Sequence, residues 1–325
     1  MSNVVLMLTT ERDVHAQVVN RRLVDLGAEP IFLDTARIPR NVTLSARQSA
    51  DGSIETELTL AGRTISGAEI AGIWFRRPQQ FRPPDNLLFQ DECDFVIAEC
   101  KQALEGWLDL MGDKVMNNPH AENAACNKML QLARAAEAGL TIPQTLASND
   151  PDAVMAFAAD DNCVFKPFTQ PGPIIVPTRR LDEAHQPFAH QIRHAPHLYQ
   201  EEVAKIADIR VNVIDSEVFA TSIKGVFDDR PLDWRLDRSH SYAPYDLPVQ
   251  VAAAIRRFMA SIGLRFGALD FGLRADGTLV FFEVNPSGQW LFCEIETGAE
   301  LSAAMARALT FGTQSTVVQD QMELA

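Results

Sequence analysis

The stretch FGALDFGLRADGTLVFFEVNPSG, residues 266–288, constrains the fold more than any other part of the chain. Two apolar runs flank Asp276-Gly277, a strong short-range hairpin signal, so they read as an antiparallel strand pair. A turn centred on that dipeptide sets Asp270 opposite Glu283, and Asn285, two residues on, points to the same face. Opposed side chains in such a pair stand roughly 4.5–5.5 Å apart, so the two carboxylates repel unless a cation compensates them. Oxygen donors without His or Cys suit Mg²⁺, which prefers a few carboxylates plus substrate phosphates to a full protein cage. The alternative is a solvated hairpin face, the ordinary place for isolated Asp and Glu. The apolar flanks argue for a largely buried strand pair that presents oxygens to magnesium-bound phosphates.

A phosphate site also needs cations. Lys166 ends the apolar strand CVFKPF, where a lysine is costly unless an anion meets it. Lys128, on the first helix of the second unit, is the weaker candidate, because a lone helical lysine is usually solvated. QEEV, Gln200 to Val203, suits an edge segment whose backbone meets a planar base, or is an ordinary strand. Asp208-Ile209-Arg210 puts opposite charges on one strand face and could be a plain ion pair. No GxxxxGK[ST] loop and no GxGxxG after a strand is present, so neither a P-loop nor a dinucleotide fold is indicated.

Along the chain, NVVLMLT, a helix from Val14 to Leu26 closed by Gly27, and a strand near PIFLD make an α/β opening. A hairpin around Asp51-Gly52, the strand AGIWFRRP and a helix from Asp91 to Met111 complete a first domain, 1–114. MNNPHAEN reads as a loop and NAACNKMLQLARAAEAG as one helix capped by Gly139. Segments 115–198 and 199–312 follow as central and C-terminal subdomains, with a last helix from Gly298 to Leu309 and a tail, 313–325. The 325 residues, 46% hydrophobic, suffice for a divided core. A net charge of −14 argues against nucleic acid and anionic membrane as partners. No apolar run is long enough to span a bilayer, and the start lacks a signal-peptide pattern. Five cysteines without a CxxC pair fit reduced thiols in a cytoplasm.

The motifs NK at 127–128, VFKP at 164–167, QEEV at 200–203, DIRVNV at 208–213, LD at 269–270 and FEVNPSGQW at 282–290 together resemble the ATP-grasp carboxylate ligases. WFRRP at 74–78, DWR at 233–235 and NPSGQWLF with a following ETG look like the microviridin-type ligases, or graspetide synthetases, which cross-link ribosomal precursor peptides. The resemblance implies an α/β (α+β) ATP-grasp fold: a pre-ATP-grasp domain, a central lid subdomain and a C-terminal subdomain with the metal site. It implies that Lys128 and Lys166 contact nucleotide phosphates, that Glu201, Glu202 and Val203 contact adenine, and that Asp208 is a ribose or lid residue. Asp270, Glu283 and Asn285 match the ligands of two Mg²⁺ ions, and Arg210, with Lys166, faces the γ-phosphate and the acyl phosphate. Arg76, Arg77 and Arg235 are implied substrate contacts. Cys293 stands where a larger apolar residue is expected. The implied activity is ADP-forming ligation on a leader-plus-core precursor peptide, with a homodimer as the assembly considered. Its rivals are a glutamate-ligase-type enzyme that adds a free amino acid and a silent peptide-binding scaffold.

Overall fold

In the computed structural model, residues 3–159, 162–169, 177–225 and 240–311 are described. Arg235, with the rest of DWR, and the tail 313–325 lie outside them, so the role expected of Arg235 has no structural account. The chain divides into two units, Met1–Pro119 with Ser302–Ala325, and His120–Leu301.

The first unit contains β1 (Val4–Leu8), α1 (Val14–Asp25), β2 (Glu29–Phe32), β3 (Val42–Gln48), β4 (Ile54–Leu60), β5 (Arg63–Ser66), β6 (Ile70–Phe75), α2 (Gln90–Met111) and β7 (Val115–Met116). A parallel sheet runs in the order β2-β1-β6-β7, and β3-β4-β5 form an antiparallel one. Every residue of β1 is buried, which is why VVLML shows no alternation: a covered parallel strand needs apolar residues on both faces. Leu6, Leu8, Ile73, Leu104, Trp107 and Leu108 belong to the core of this unit. The carboxylate of Asp13, just past the C-terminal end of β1, accepts from the His15 and Ala16 N–H groups at 2.9 and 3.4 Å and so caps α1.

The second unit contains α3 (Pro119–Ala125), α4 (Lys128–Glu137), β8 (Thr145–Ser148), α5 (Pro151–Phe157), β9 (Cys163–Lys166), β10 (Arg179–Arg180), β11 (His197–Glu201), β12 (Ala207–Ile214), β13 (Glu217–Gly225), β14 (His240–Pro244), α6 (Val249–Ser261), β15 (Phe266–Leu273), β16 (Leu279–Asn285) and α7 (Leu291–Thr297). The chain then enters α8 (Leu301–Phe311), which returns to the first unit from Ser302. There Gly72 admits it: a Cβ at Gly72 would stand 2.0 Å from the Leu309 carbonyl oxygen.

Two sheets build the second unit, β10-β9-β11-β8 and the antiparallel β14-β13-β12-β15-β16. One core unites the larger sheet with α4 and α6 through Leu132, Ile255, Phe258, Ile209, Val211 and Phe281. The Phe281 ring meets Phe258 and Phe271 edge-on, with centroids 5.1 and 5.5 Å apart.

The β15–β16 hairpin reaches its expected pairing by an unexpected route. Arg274 and Thr278 close a loop of Ala275, Asp276 and Gly277, with Gly277 at φ 86°, instead of a two-residue turn. Near the turn the register is therefore offset: Phe271 pairs with Phe281. A β-bulge at Phe282 takes up the extra residue, and beyond it Asp270 pairs with Glu283 and Ala268 with Asn285. Strict alternation would put Phe281 and Glu283 on one face. With the bulge, Phe281 and Val284 both enter the core, while Glu283 lies with Asp270.

Two helix expectations need correcting. The segment read as loop plus one helix is two helices, with Pro119 starting α3 and the Asn127 side chain accepting from the Leu130 N–H at 3.1 Å to cap α4. The final helix begins at Leu301, after α7 has ended at Gly298 in the left-handed conformation. All five cysteines are free; Cys100, Cys163 and Cys293 are buried and Cys126 is exposed.

Candidate active site

Four side chains lie directly opposite one another across the larger sheet: Thr221 on β13, Arg210 on β12, Asp270 on β15 and Glu283 on β16. Arg210 Nε donates to Asp270 Oδ1 at 2.8 Å, and its Nη2 to Oδ2 at 3.3 Å. Lys128, the first residue of α4, places Nζ 2.8 Å from Glu283 Oε2. The row therefore reads plus, minus, minus, plus, and the cation each carboxylate needs comes from the protein. Asp270 and Glu283 keep 24% and 26% of their side-chain surface exposed, so both remain open to a further ligand. Asn285 is exposed two pairs further along, its Oδ1 accepting from the Ser287 N–H at 3.0 Å.

The turn after β16 is built for close approach. A Cβ at Gly288 would lie 2.4 Å from the Ala268 Cβ, so only glycine lets the NPSG turn fold against β15. The next residue then turns its carbonyl to the site: Arg210 Nη1 donates to the Gln289 oxygen at 2.8 Å. The same guanidinium lies over the Phe292 ring, with Cζ 5.7 Å from the ring centroid.

Gln131 carries a role that sequence reading missed. β16 is an edge strand, and its outward backbone groups need partners. The buried amide of Gln131 accepts from the Val284 N–H at 2.9 Å and donates to the Val284 carbonyl at 3.0 Å, which fixes the backbone between Glu283 and Asn285. A glutamine on the buried face of an amphipathic helix was the available signal.

The other expected residues are spread over the same unit. Lys166 closes β9, half-buried and opposite Leu198 on β11. In the QEEV segment the backbone N–H groups of Glu201 and Glu202 already donate to the carbonyls of Gln144 and Asn162. Their side chains pair with Arg274 and Arg180, and Val203 is buried. A cavity of about 520 Å³ opens beside them, lined by Gln144, Asn162, Glu201, Glu202, Arg274 and Asp276 among others. Asp208 pairs with Lys205.

The two arginines of WFRRP separate. Alternation along the strand leaves Arg77 exposed and Arg76 sealed, at 0% side-chain exposure, with Nε 3.3 Å from Asp13 Oδ2. Burial acts to raise the Asp13 carboxyl, but its hydrogen bonds with His15 and the charge of Arg76 outweigh this and hold it well below the carboxylate range. Of the pair, Arg77 is the one placed to reach a ligand.

Among the described residues no group of three or more His, Cys, Asp or Glu stands ready as a metal site, and no helix is long and apolar enough to cross a membrane. The row has two carboxylates and an amide oxygen, all hard oxygen donors on one sheet, which fits Mg²⁺ completed by phosphate and water.

Residues 4–123 match the MvdD pre-ATP grasp domain. The macrocyclase MdnB from Microcystis aeruginosa superposes with a TM-score of 0.73 at 29% identity, over 95% of this chain and 100% of that one. The fold is ATP-grasp. A complex of the ATP-grasp ligase PsnB with a minimal precursor, Mg and ADP gives 0.74 at 25% identity, covering 95% and 96%. The macrocyclase MdnC from the same Microcystis, bound to its precursor peptide MdnA, gives 0.81 at 24%, covering 94% and 98%. No curated protein sequence matches the chain. The resemblance read from the motifs thus stands: this ATP-grasp protein is similar to graspetide-type ligases, and the likeness supports an ATP-dependent ligase.

Proposed function

We propose that this ATP-grasp protein activates Asp or Glu side-chain carboxylates of a ribosomal precursor peptide as acyl phosphates and closes them onto Ser or Thr hydroxyls or Lys amines of the same peptide. The observation that carries the reading is the row Lys128, Glu283, Asp270, Arg210, with Asn285 beside it. Asp270, Glu283 and Asn285 would hold Mg²⁺, two ions in this reading, and Mg²⁺ supplies neutralisation of phosphate charge. Arg210 is aimed by Asp270 and the Gln289 carbonyl at the transferred phosphoryl group, and it balances the charge that develops there. Lys128 and Lys166 meet the phosphates, the Glu201–Val203 segment the adenine, and Asp208 the ribose or the lid formed by 115–198. Arg77, and Arg235 beyond the described residues, contact the peptide. The five free thiols fit a reducing, cytoplasmic setting, and a homodimer is the assembly to test by light scattering.

In the first step a peptide carboxylate oxygen bonds to the γ-phosphorus and ADP leaves. In the second a hydroxyl or amine bonds to the acyl carbon, phosphate leaves and the nucleophile gives up its proton. Capture within one peptide benefits from a high effective concentration, so it outruns attack by a free amino acid. Incubation with ATP, Mg²⁺ and a candidate precursor encoded beside the gene should remove one water per ring and release one ADP per ring. A mass gain equal to an amino-acid residue would overturn the reading in favour of a glutamate-ligase-type reaction, and ATP binding without turnover would favour a scaffold.

A further inference from the structure

The guanidinium of Arg210 is held in its own plane by Asp270 through Nε and Nη2 and by the Gln289 carbonyl through Nη1. Bonds in that plane fix where the group points but resist tilting out of it only weakly. A further contact comes from Phe292: Arg210 Cζ lies over its ring, 5.7 Å from the centroid. Phe292 is backed in turn by Tyr242, 5.7 Å away at 56°, and Tyr242 by His240 at 5.9 Å. The ring arrives from α7 and its support from β14, so two separate elements build the ring over which the arginine lies.

The chemistry of that contact suits the task. A second carboxylate would also steady Arg210, but it would cancel the charge the phosphoryl group needs. An aromatic face attracts the cation through its quadrupole and leaves the net charge in place. The neighbouring position confirms that Phe292 is not simply the core anchor of α7: Cys293 is fully buried there, while Phe292 is only half-buried.

We propose that Phe292, supported by Tyr242, is a positioning residue that sets the tilt of the Arg210 guanidinium. This rests on the assignment of Arg210 to the transferred phosphoryl group for its effect on rate, but not for the contact itself.

The test compares Phe292→Leu, which removes the ring, with Phe292→Tyr, which keeps it. Phe292→Leu should lower kcat for ADP release on the precursor about tenfold, or about 1.4 kcal/mol, while leaving KM for ATP within about twofold; Phe292→Tyr should restore it. A second arm needs no substrate. In ¹⁵N-arginine-labelled protein, with the Nε–H resonance assigned through Arg210→Lys, the ring-current displacement of Arg210 should vanish in Phe292→Leu and return in Phe292→Tyr. An unmoved resonance in Phe292→Leu overturns the proposal, whatever reaction the protein performs. So does a moved resonance with unchanged kcat, or a Phe292→Tyr variant as slow as Phe292→Leu. If Phe292→Leu does not fold, Tyr242→Leu should shift the same resonance by a smaller amount in the same direction, and a static resonance there is equally decisive.

Discussion

In each unit one arginine stands beside both an aspartate and an aromatic ring, and the two have opposite uses. In both, the arginine sits on or just past a strand, forms an ion pair with an aspartate whose nearest nitrogen is Nε, and has Cζ 5.7 Å from an aromatic ring centroid. Arg76 and Asp13 are sealed, at 0% and 6% side-chain exposure, and Asp13 spends Oδ1 on the cap of α1 while Oδ2 meets Thr9 and Arg76. Arg210 and Asp270 keep 8% and 24%, and Asp270 lies beside a second carboxylate. One pair locks a helix to a sheet, and the other meets solvent at a charged row. Residue type and partner are the same, so access decides the role.

The comparison breaks most readily at Arg76. Arg76→Met should cost about 3–5 kcal/mol of unfolding free energy by urea titration, because it strands the buried Asp13 charge. A loss below about 1 kcal/mol would place Arg76 with the site arginine after all. Arg210→Ala should do the reverse. We expect kcat to fall about 10²–10³-fold, some 2.7–4 kcal/mol, with a much smaller change in the urea midpoint, since Asp270 can be hydrated. A large stability loss with turnover intact would erase the distinction.

The pH dependence sharpens it further. The folded-state pKa of Asp13 is depressed, so its ionisation stabilises the protein above the ordinary aspartate value near pH 4 and ceases to do so as the pH falls toward the folded-state value. Asp13→Asn should therefore melt below the wild type at neutral pH, by about 1.5–3 kcal/mol, and the gap should close below about pH 4. A gap that widens in acid would refute the sign. The smallest effect belongs to Arg180, 58% exposed and paired with Glu202. Arg180→Ala should change stability by no more than about 1 kcal/mol, and less in high salt.

How much of this was legible in the sequence depended on which contacts are local. The pairing of Asp270 with Glu283 was, although through two compensating departures: the turn has one residue more than Asp276-Gly277 alone suggests, and the bulge at Phe282 absorbs it. Periodicity gave β1, α1 and α6, whose apolar residues follow one pattern from end to end. It failed around residue 127, where a capping asparagine divides one apolar stripe between two helices, and at α7, too short to show a period. The difference between Arg76 and Arg77 was available from strand alternation. That Asp13 answers Arg76, Gln131 clasps Val284, or α8 packs on Gly72 was not, because those contacts join residues far apart in the chain and leave no local pattern.

The return of α8 bears on how such a chain is made. Gly72 leaves the ribosome early and waits for the Leu309 backbone that packs on it, with the whole second unit synthesised in between. At typical elongation rates of about 5–20 residues per second the wait is roughly ten to fifty seconds. Throughout that interval β6 has an unfilled position beside it, open to chaperones or to the wrong helix. The second unit is under no such delay, since its residues are consecutive, so it can finish folding while the unit synthesised before it is still incomplete.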